Sequence, residues 1–328
     1  MNAKSARKLL IPFLVLLLAT PIIGVGCQET ERELPEAPSP SALSATLVPN
    51  VPLDLYVYCK QDSPTRIPAE VLDTSYDINV DSLAVWGVPE GDNDFALGMG
   101  VTLTSASDAS KLYDEITLEE GIWKKLSDNT IYLVYGSGIA AESLRRAISN
   151  NDFKHYDDSE CLNAAATLPS GGETKLAAIT LAKPSKALTG FMTQDLDPEA
   201  VGMINMILTI ANLKVIAAGL YSPHQIDIAE LAEAMENHGS IADLDLGVLI
   251  LVKSGLPGFL LKPAIGEFLE EAEFTETSLG ELTLYRGTFD ADGDDSIPVL
   301  IRIEGNYMFA ALSGQESYAE TLITSIRK

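Results

Sequence analysis

A short β-rich run in the middle of the chain returns near its end, and this recurrence constrains the fold more than any other feature. Asn129-Thr130-Ile131-Tyr132-Leu133-Val134-Tyr135 leads into a helix-like segment holding Glu142, Leu144 and Ile148. Asn306-Tyr307-Met308-Phe309-Ala310-Ala311-Leu312 leads into a segment holding Glu320, Leu322 and Ile326. One gapped residue between strand and helix brings the two stretches into line. A chain that repeats a strand and its helix in this way reads as one supersecondary unit used twice.

The regions before each run agree with that reading. Leu53–Tyr58, Ser82–Val88 and Phe95–Leu103 are strand-like, rich in Val, Leu, Tyr and Phe between turn residues. Ser105 or Ser107 then caps a helix with Ala109, Leu112, Tyr113 and Ile116 on one face, the i, i+3, i+4, i+7 stripe of a half-buried helix. In the second half Leu176–Leu181, Leu213–Tyr221 and Leu246–Val252 are strand-like, and a helix is expected near Phe259–Glu271. Glu281–Phe289 and Val299–Ile303 are expected to form a hairpin or meander with the Asn306 strand. Further helices are expected near Pro198–Ala211 and Ile226–Asn237.

Strands therefore come in adjacent groups before each helix. That order predicts an α+β fold of two tandem related units, each an antiparallel sheet with helices packed on one face. It disfavours the strict strand–helix alternation of doubly wound folds. The first unit is assigned to residues 51–160 and the second to 174–328. The junction falls in Asp157–Glu173, with Pro169-Ser170-Gly171-Gly172 as the turn. The pattern leaves open whether the two sheets are separate or joined.

The first 26 residues have a different character. Met1–Lys8 is short and basic, and Leu9–Gly26 is apolar and uncharged. This is the layout of a secretory signal, which delivers everything after it to the outside. Ile23-Gly24-Val25-Gly26-Cys27 resembles the lipobox of bacterial lipoproteins. That resemblance covers residues 1–27 alone. It implies cleavage between Gly26 and Cys27, a diacylglyceryl group on the Cys27 sulfur with fatty acyl chains such as palmitate, and attachment to the extracytoplasmic face of a cell membrane. Gly24 departs from the usual aliphatic residue at its position. The other readings of the leader are an uncleaved membrane helix, for which 18 residues with Pro12 and Pro21 are marginal, and ordinary cleaved secretion. Residues 27–50, with four prolines and no apolar period, read as a linker.

Charge narrows the partners. The formal net charge is −25, and because Lys4, Arg7 and Lys8 meet no acid in the leader, the remainder carries −28. Such a surface repels phosphate backbones, so nucleic acid is excluded as the natural partner. Cations and basic protein patches fit it better, and the partner expected is a cell-envelope protein or a small-molecule ligand.

The search for chemistry finds little. Once Cys27 is set aside, Cys59 and Cys161 remain, either as a disulfide of an oxidising compartment or as two separate buried thiols. His155, His224 and His238 stand apart in sequence, and no cysteine pair has zinc spacing. The nearest approach to a metal loop is Asp290-Ala291-Asp292-Gly293-Asp294-Asp295. Asp290, Asp292 and Asp294 match calcium positions 1, 3 and 5, but Asp295 stands where glycine is required and Ile301 where a closing glutamate belongs. A solvated hairpin turn explains the run more simply, and Asp92-Asn93-Asp94 likewise. Ser137 between Gly136 and Gly138 is a strand-to-helix turn, with no nucleophile elbow. Gly98-Met99-Gly100 lacks a third glycine and reads as strand interior. No cofactor is called for.

The sequence thus points first to a non-catalytic binding or structural module displayed at the cell surface. The alternatives are a solute-binding lipoprotein of a transporter and an enzyme with a carboxylate-based site that no motif reveals.

Overall fold

Strands with apolar residues at both parities can be covered on both faces, and here they are. The protein is described from a computed structural model that covers residues 40–67, 77–91, 94–116, 122–169, 176–193, 212–222, 246–271, 273–290 and 296–326. The first half holds α1 (Pro40–Ala45), β1 (Leu47–Pro49), β2 (Leu55–Ile67), β3 (Ile78–Glu90), β4 (Asp94–Leu103), α2 (Ala106–Glu115), β5 (Ile122–Ser127), β6 (Thr130–Tyr135), α3 (Gly138–Ser149), β7 (Phe153–His155) and α4 (Ser159–Thr167). The second holds β8 (Leu176–Ala182), α5 (Lys186–Thr193), β9 (Leu213–Tyr221), β10 (Gly247–Ser254), α6 (Gly258–Glu271), β11 (Thr275–Leu279), β12 (Leu282–Asp290), β13 (Ser296–Glu304), β14 (Tyr307–Ser313) and α7 (Glu316–Thr324).

The fold is α+β, and the two halves join into one twelve-stranded sheet. Its order is β11-β12-β13-β14-β10-β9-β8-β2-β3-β4-β6-β5, with every neighbouring pair antiparallel. Reading outward from the centre, β2-β3-β4-β6-β5 in one direction matches β8-β9-β10-β14-β13 in the other. The match extends to register. Thr102 stands opposite Thr130 where β4 meets β6, and Lys253 stands opposite Tyr307 where β10 meets β14. A register shift falls between Val80 and Ser82 of β3, and its counterpart falls where Ser254 pairs Leu213 and Lys253 pairs Val215. At the centre β2 and β8 pair Leu55 with Ala182, Val57 with Thr180 and Cys59 with Ala178. These pairings define a pseudo-two-fold axis perpendicular to the sheet at Val57 and Thr180.

The recurring asparagines explain part of the shared register. Asn129 donates from its side-chain amide to the Leu103 carbonyl at 2.7 Å and accepts the Leu103 N–H on its own carbonyl at 2.8 Å. Asn306 does the same with Ser254, at 3.3 and 2.8 Å. Each asparagine follows a turn residue of positive φ, Asp128 at 52° and Gly305 at 59°. Each therefore ties a tight turn to the end of the next strand. A left-handed turn suits glycine and is tolerated by aspartate.

The helices lie on both faces, which corrects the expectation of a single helical face. Tyr56, Ile179, Ala217, Leu251 and Phe309 point one way into a core closed by α1, α4 and α7. Val88, Ala96 and Val134 continue that face beneath α3. Val57, Val85, Met99, Leu133 and Ala178 point the other way beneath α2 and α5. Val299, Ile301 and Leu312 extend this second face beneath α6. The expectation rested on strands grouped ahead of each helix, an order that does not say which face a helix takes. The doubly apolar strands β9 and β10 demand two covers instead. A two-fold normal to the sheet keeps each face on its own side, so α2 and α6 share one face and α3 and α7 the other.

The stretch expected as linker up to residue 50 is folded from Pro40. Leu43 and Val48 are completely buried, and β1 pairs with β7. Two apolar side chains in a polar segment suffice to dock it against a core that already exists. Ser105, of the two candidate caps, is the one that closes α2, accepting the Asp108 N–H at 3.0 Å. The expected helices near Pro198–Ala211 and Ile226–Asn237 lie outside the described residues. No helix among the described residues is long and apolar enough to cross a membrane.

Candidate functional site

The first turn of α4 gathers a set of mutually interacting ionisable groups. It lies in the stretch anticipated as the junction between units. Asp158 caps α4, its carboxylate accepting the Cys161 N–H at 3.0 Å. Lys183, just past β8, forms an ion pair with the same carboxylate. Two residues on, Glu160 accepts from Lys253 of β10 at 2.8 Å. Both acids sit where a helix favours negative charge. Burial works against the Asp158 carboxylate, but the Cys161 N–H and the Lys183 ammonium outweigh it and hold its pKa below the ordinary value. The hydrogen bond to Asp158 holds the Lys183 pKa above its ordinary value, against burial.

Behind this turn lies an aromatic layer. The Tyr56 hydroxyl donates to Thr46 Oγ1 at 2.6 Å, and Thr46 Oγ1 donates to the Leu43 carbonyl at 2.7 Å. The Tyr56 and Tyr156 rings lie 4.7 Å apart, centroid to centroid. Tyr156 and Cys161 share a hydrogen bond. Burial raises the pKa of both phenols. Burial also pushes the Cys161 thiol up to about 12, against the Tyr156 hydrogen bond. A thiolate is the reactive form of cysteine, so a thiol held this way is not an activated nucleophile. The arrangement can hold elements together: it fastens α4 to the second half and the α1–β1 segment to β2.

A second arrangement lies at the outer strand β5. Adjacent residues of a strand point to opposite faces, and Lys124 and Lys125 use this to reach two helices. Lys124 Nζ donates to the carbonyls of Tyr113 and Ile116 at the end of α2, at 2.5 and 2.9 Å. Lys125 Nζ donates to the Ile148 carbonyl at the end of α3, at 2.7 Å, and to Asn151 Oδ1 at 2.9 Å. Each cation sits at the helix end where the dipole favours it. In the second half, Arg286 of β12 reaches Glu316 and Glu320 of α7, both at 2.8 Å.

The residues singled out in the sequence are scattered. Cys59 and Cys161 are free thiols, which decides between the two readings against the disulfide. Cys59 packs on the α2–α5 face and Cys161 on the α4 face, so the sheet lies between them. Burial pushes Cys59 up to about 12 as well. Asp290 ends β12 opposite Ser296, whereas Asp292 and Asp294 lie outside the described residues. No group of three or more potential metal ligands occurs among the described residues. His155 is exposed on β7; His224, His238, Gly26 and Cys27 lie outside the described residues. Ser137 is the N-cap of α3, between Gly136 and Gly138 at φ 120° and 88°, and makes no side-chain cap bond.

The α4 cluster had one readable signal, an acid three residues ahead of Cys161 in a cap position. Its lysine partners arrive from just past β8 and from β10, and no sequence spacing announces them. The Lys124-Lys125 pair was visible as residues but not as helix caps.

No family model matches the chain, and no curated protein matches it. Among solved structures, crystal forms III and I of TP0453 are similar at 11% identity, with TM-scores of 0.36 and 0.34. They cover 87% and 86% of this chain and 98% and 99% of theirs.

Proposed function

We propose that this is an exported lipoprotein, held at the extracytoplasmic face of a membrane by acyl chains on Cys27, whose folded part is a non-catalytic binding or structural module. The observation that carries the anchor is the apolar run ending at Gly26-Cys27, followed by a polar, proline-bearing stretch. The non-catalytic reading draws support from the α4 cluster, whose acids and lysines are locked in pairs and whose thiol is held protonated. A cell-envelope protein is the partner this reading favours.

Membrane fractionation with mass spectrometry of the N-terminal peptide tests the anchor. Wild-type chain is expected in the membrane fraction with acylated Cys27 at its new N-terminus. Cys27→Ala is expected to lose the modification and remain unprocessed at Gly26. An unmodified chain that retains Met1 and is free in the cytosol would contradict the proposal.

A further inference from the structure

The outer edge of β5 is where the two halves part company. Its counterpart β13 is covered by β12, which places Tyr285 opposite Ile301 and Gly287 opposite Val299. Beyond β5 no described strand follows. Backbone groups in an antiparallel ladder point alternately to the two sides. Counting from the two-residue turn Asp128–Asn129, those of Ile122, Lys124 and Leu126 point away from β6. Ile122 and Lys124 are the counterparts of Val299 and Ile301, the residues that β12 pairs with.

Lysines commonly blunt such an edge. Here Lys124 and Lys125 turn inward onto helix carbonyls, so their ammonium groups do not guard it. Helix α3 supplies a separate observation. In the second half the Arg286 guanidinium lies against Glu316 and Glu320 of α7. Glu142 of α3 is the counterpart of Glu320; it is exposed, and no described cation pairs with it. On the opposite face Tyr285 of β12 packs beside α6, with its hydroxyl near Gly266.

We infer that the outer edge of β5 is a docking site for an extended strand of a partner protein. The strand runs antiparallel to β5, sets a cation over α3 against Glu142, and lays an aromatic or apolar residue beside α2, as β12 does in the second half. Strand addition draws affinity from main-chain bonds and specificity from alternate side chains. The inference names the kind of partner for the binding role proposed above and rests on that role, but not on the acyl anchor.

The test titrates the full chain in detergent micelles with a peptide of residues 275–290, the chain's own β11–β12 hairpin. Trp123 in β5 is half-buried and reports on the edge, while Trp86 is buried at 2% exposure and serves as a steady reference. A saturable blue shift of emission is expected, absent with a scrambled peptide. Glu142→Arg is expected to weaken binding roughly tenfold, as a like-charge contact replaces an ion pair. A peptide carrying Arg286→Glu is expected to restore it on that variant. No saturable shift beyond the scrambled control overturns the inference, and so does a titration that Glu142→Arg leaves unchanged. Acylation does not enter the titration, so its failure leaves the anchor to the fractionation experiment, and an unacylated Cys27 leaves the β5 edge to the titration.

Discussion

The two halves of the sheet share a register and close their outer ends by different means. In the first half Lys124 and Lys125 reach around the last strand and cap the helices on either face. In the second half the matching positions are Ile301 and Arg302, and both are buried because β12 and β11 continue the sheet beyond them. Ile301 joins the core beneath α6, and Arg302 pairs with Glu304 and lies 5.8 Å from the Phe309 ring centre. The same strand pair thus carries half-buried cations that cap helices when it ends a sheet, and buried side chains when it does not. What a repeat conserves is the backbone ladder and the helix seats; what it leaves free is the outermost position.

The helix seats give the largest expected effect. Leu144 and Leu322 are each completely buried at matching positions of α3 and α7. Gly247 clears room for Leu322, since a Cβ there would stand 2.5 Å from its Cδ1. Truncating a fully buried leucine to alanine removes apolar contact and leaves a cavity, at about 2–5 kcal/mol. Leu144→Ala and Leu322→Ala should each lower stability to denaturant by that amount, and by similar amounts. A variant that unfolds at the wild-type midpoint would break the equivalence of the seats.

That equivalence was legible in the sequence because it depends on local pattern. Leu144, Ile148, Leu322 and Ile326 recur at helical spacing behind recurring strands, and all four are buried. The strands at Leu213–Tyr221 and Asn306–Leu312 were equally plain. The edge strands were not. β5 and β11 are short, and every residue of β5 is only partly buried, so neither shows the alternation that marks a half-buried strand. The two-faced helical cover was missed because the order of strands and helices does not say which face a helix takes, whereas the doubly apolar composition of β9 and β10 does. The α4 cluster was missed because its charge pairs join residues up to 93 positions apart.

The turn asparagines sharpen the comparison at a smaller scale. Each ties its turn to the neighbouring strand, but the side-chain bond is 2.7 Å from Asn129 and 3.3 Å from Asn306. Removing a hydrogen bond of this kind costs about 0.5–1.5 kcal/mol. Asn129→Ala and Asn306→Ala should both destabilise within that range, with Asn129→Ala the larger. Equal midpoints in a thermal melt would mean that the backbone bond, at 2.8 Å in both turns, does all the fastening.

The smallest effect separates the repeat from the junction beside it. The Asp158–Lys183 pair belongs to α4, and its contribution depends on pH in a way that buried leucines do not. Asp158 has a depressed pKa, so its contribution is present above the ordinary value of 3.8 and is lost as pH falls through the depressed one. Lys183 has a raised pKa, so its contribution is present below 10.5 and is lost as pH rises through the raised value. With the lysine side chain 41% exposed, solvent screening keeps the pair under about 1 kcal/mol at neutral pH. Lys183→Met should therefore lower the denaturation midpoint slightly at neutral pH. The gap from wild type should narrow in acid below the depressed Asp158 value and in alkali above the raised Lys183 value. Leu322→Ala should keep its full deficit across the same range. A Lys183→Met deficit that persists unchanged from acid to alkali would mean that the lysine acts through its apolar stem, and that α4 is fastened by the Tyr56–Tyr156 layer rather than by charge.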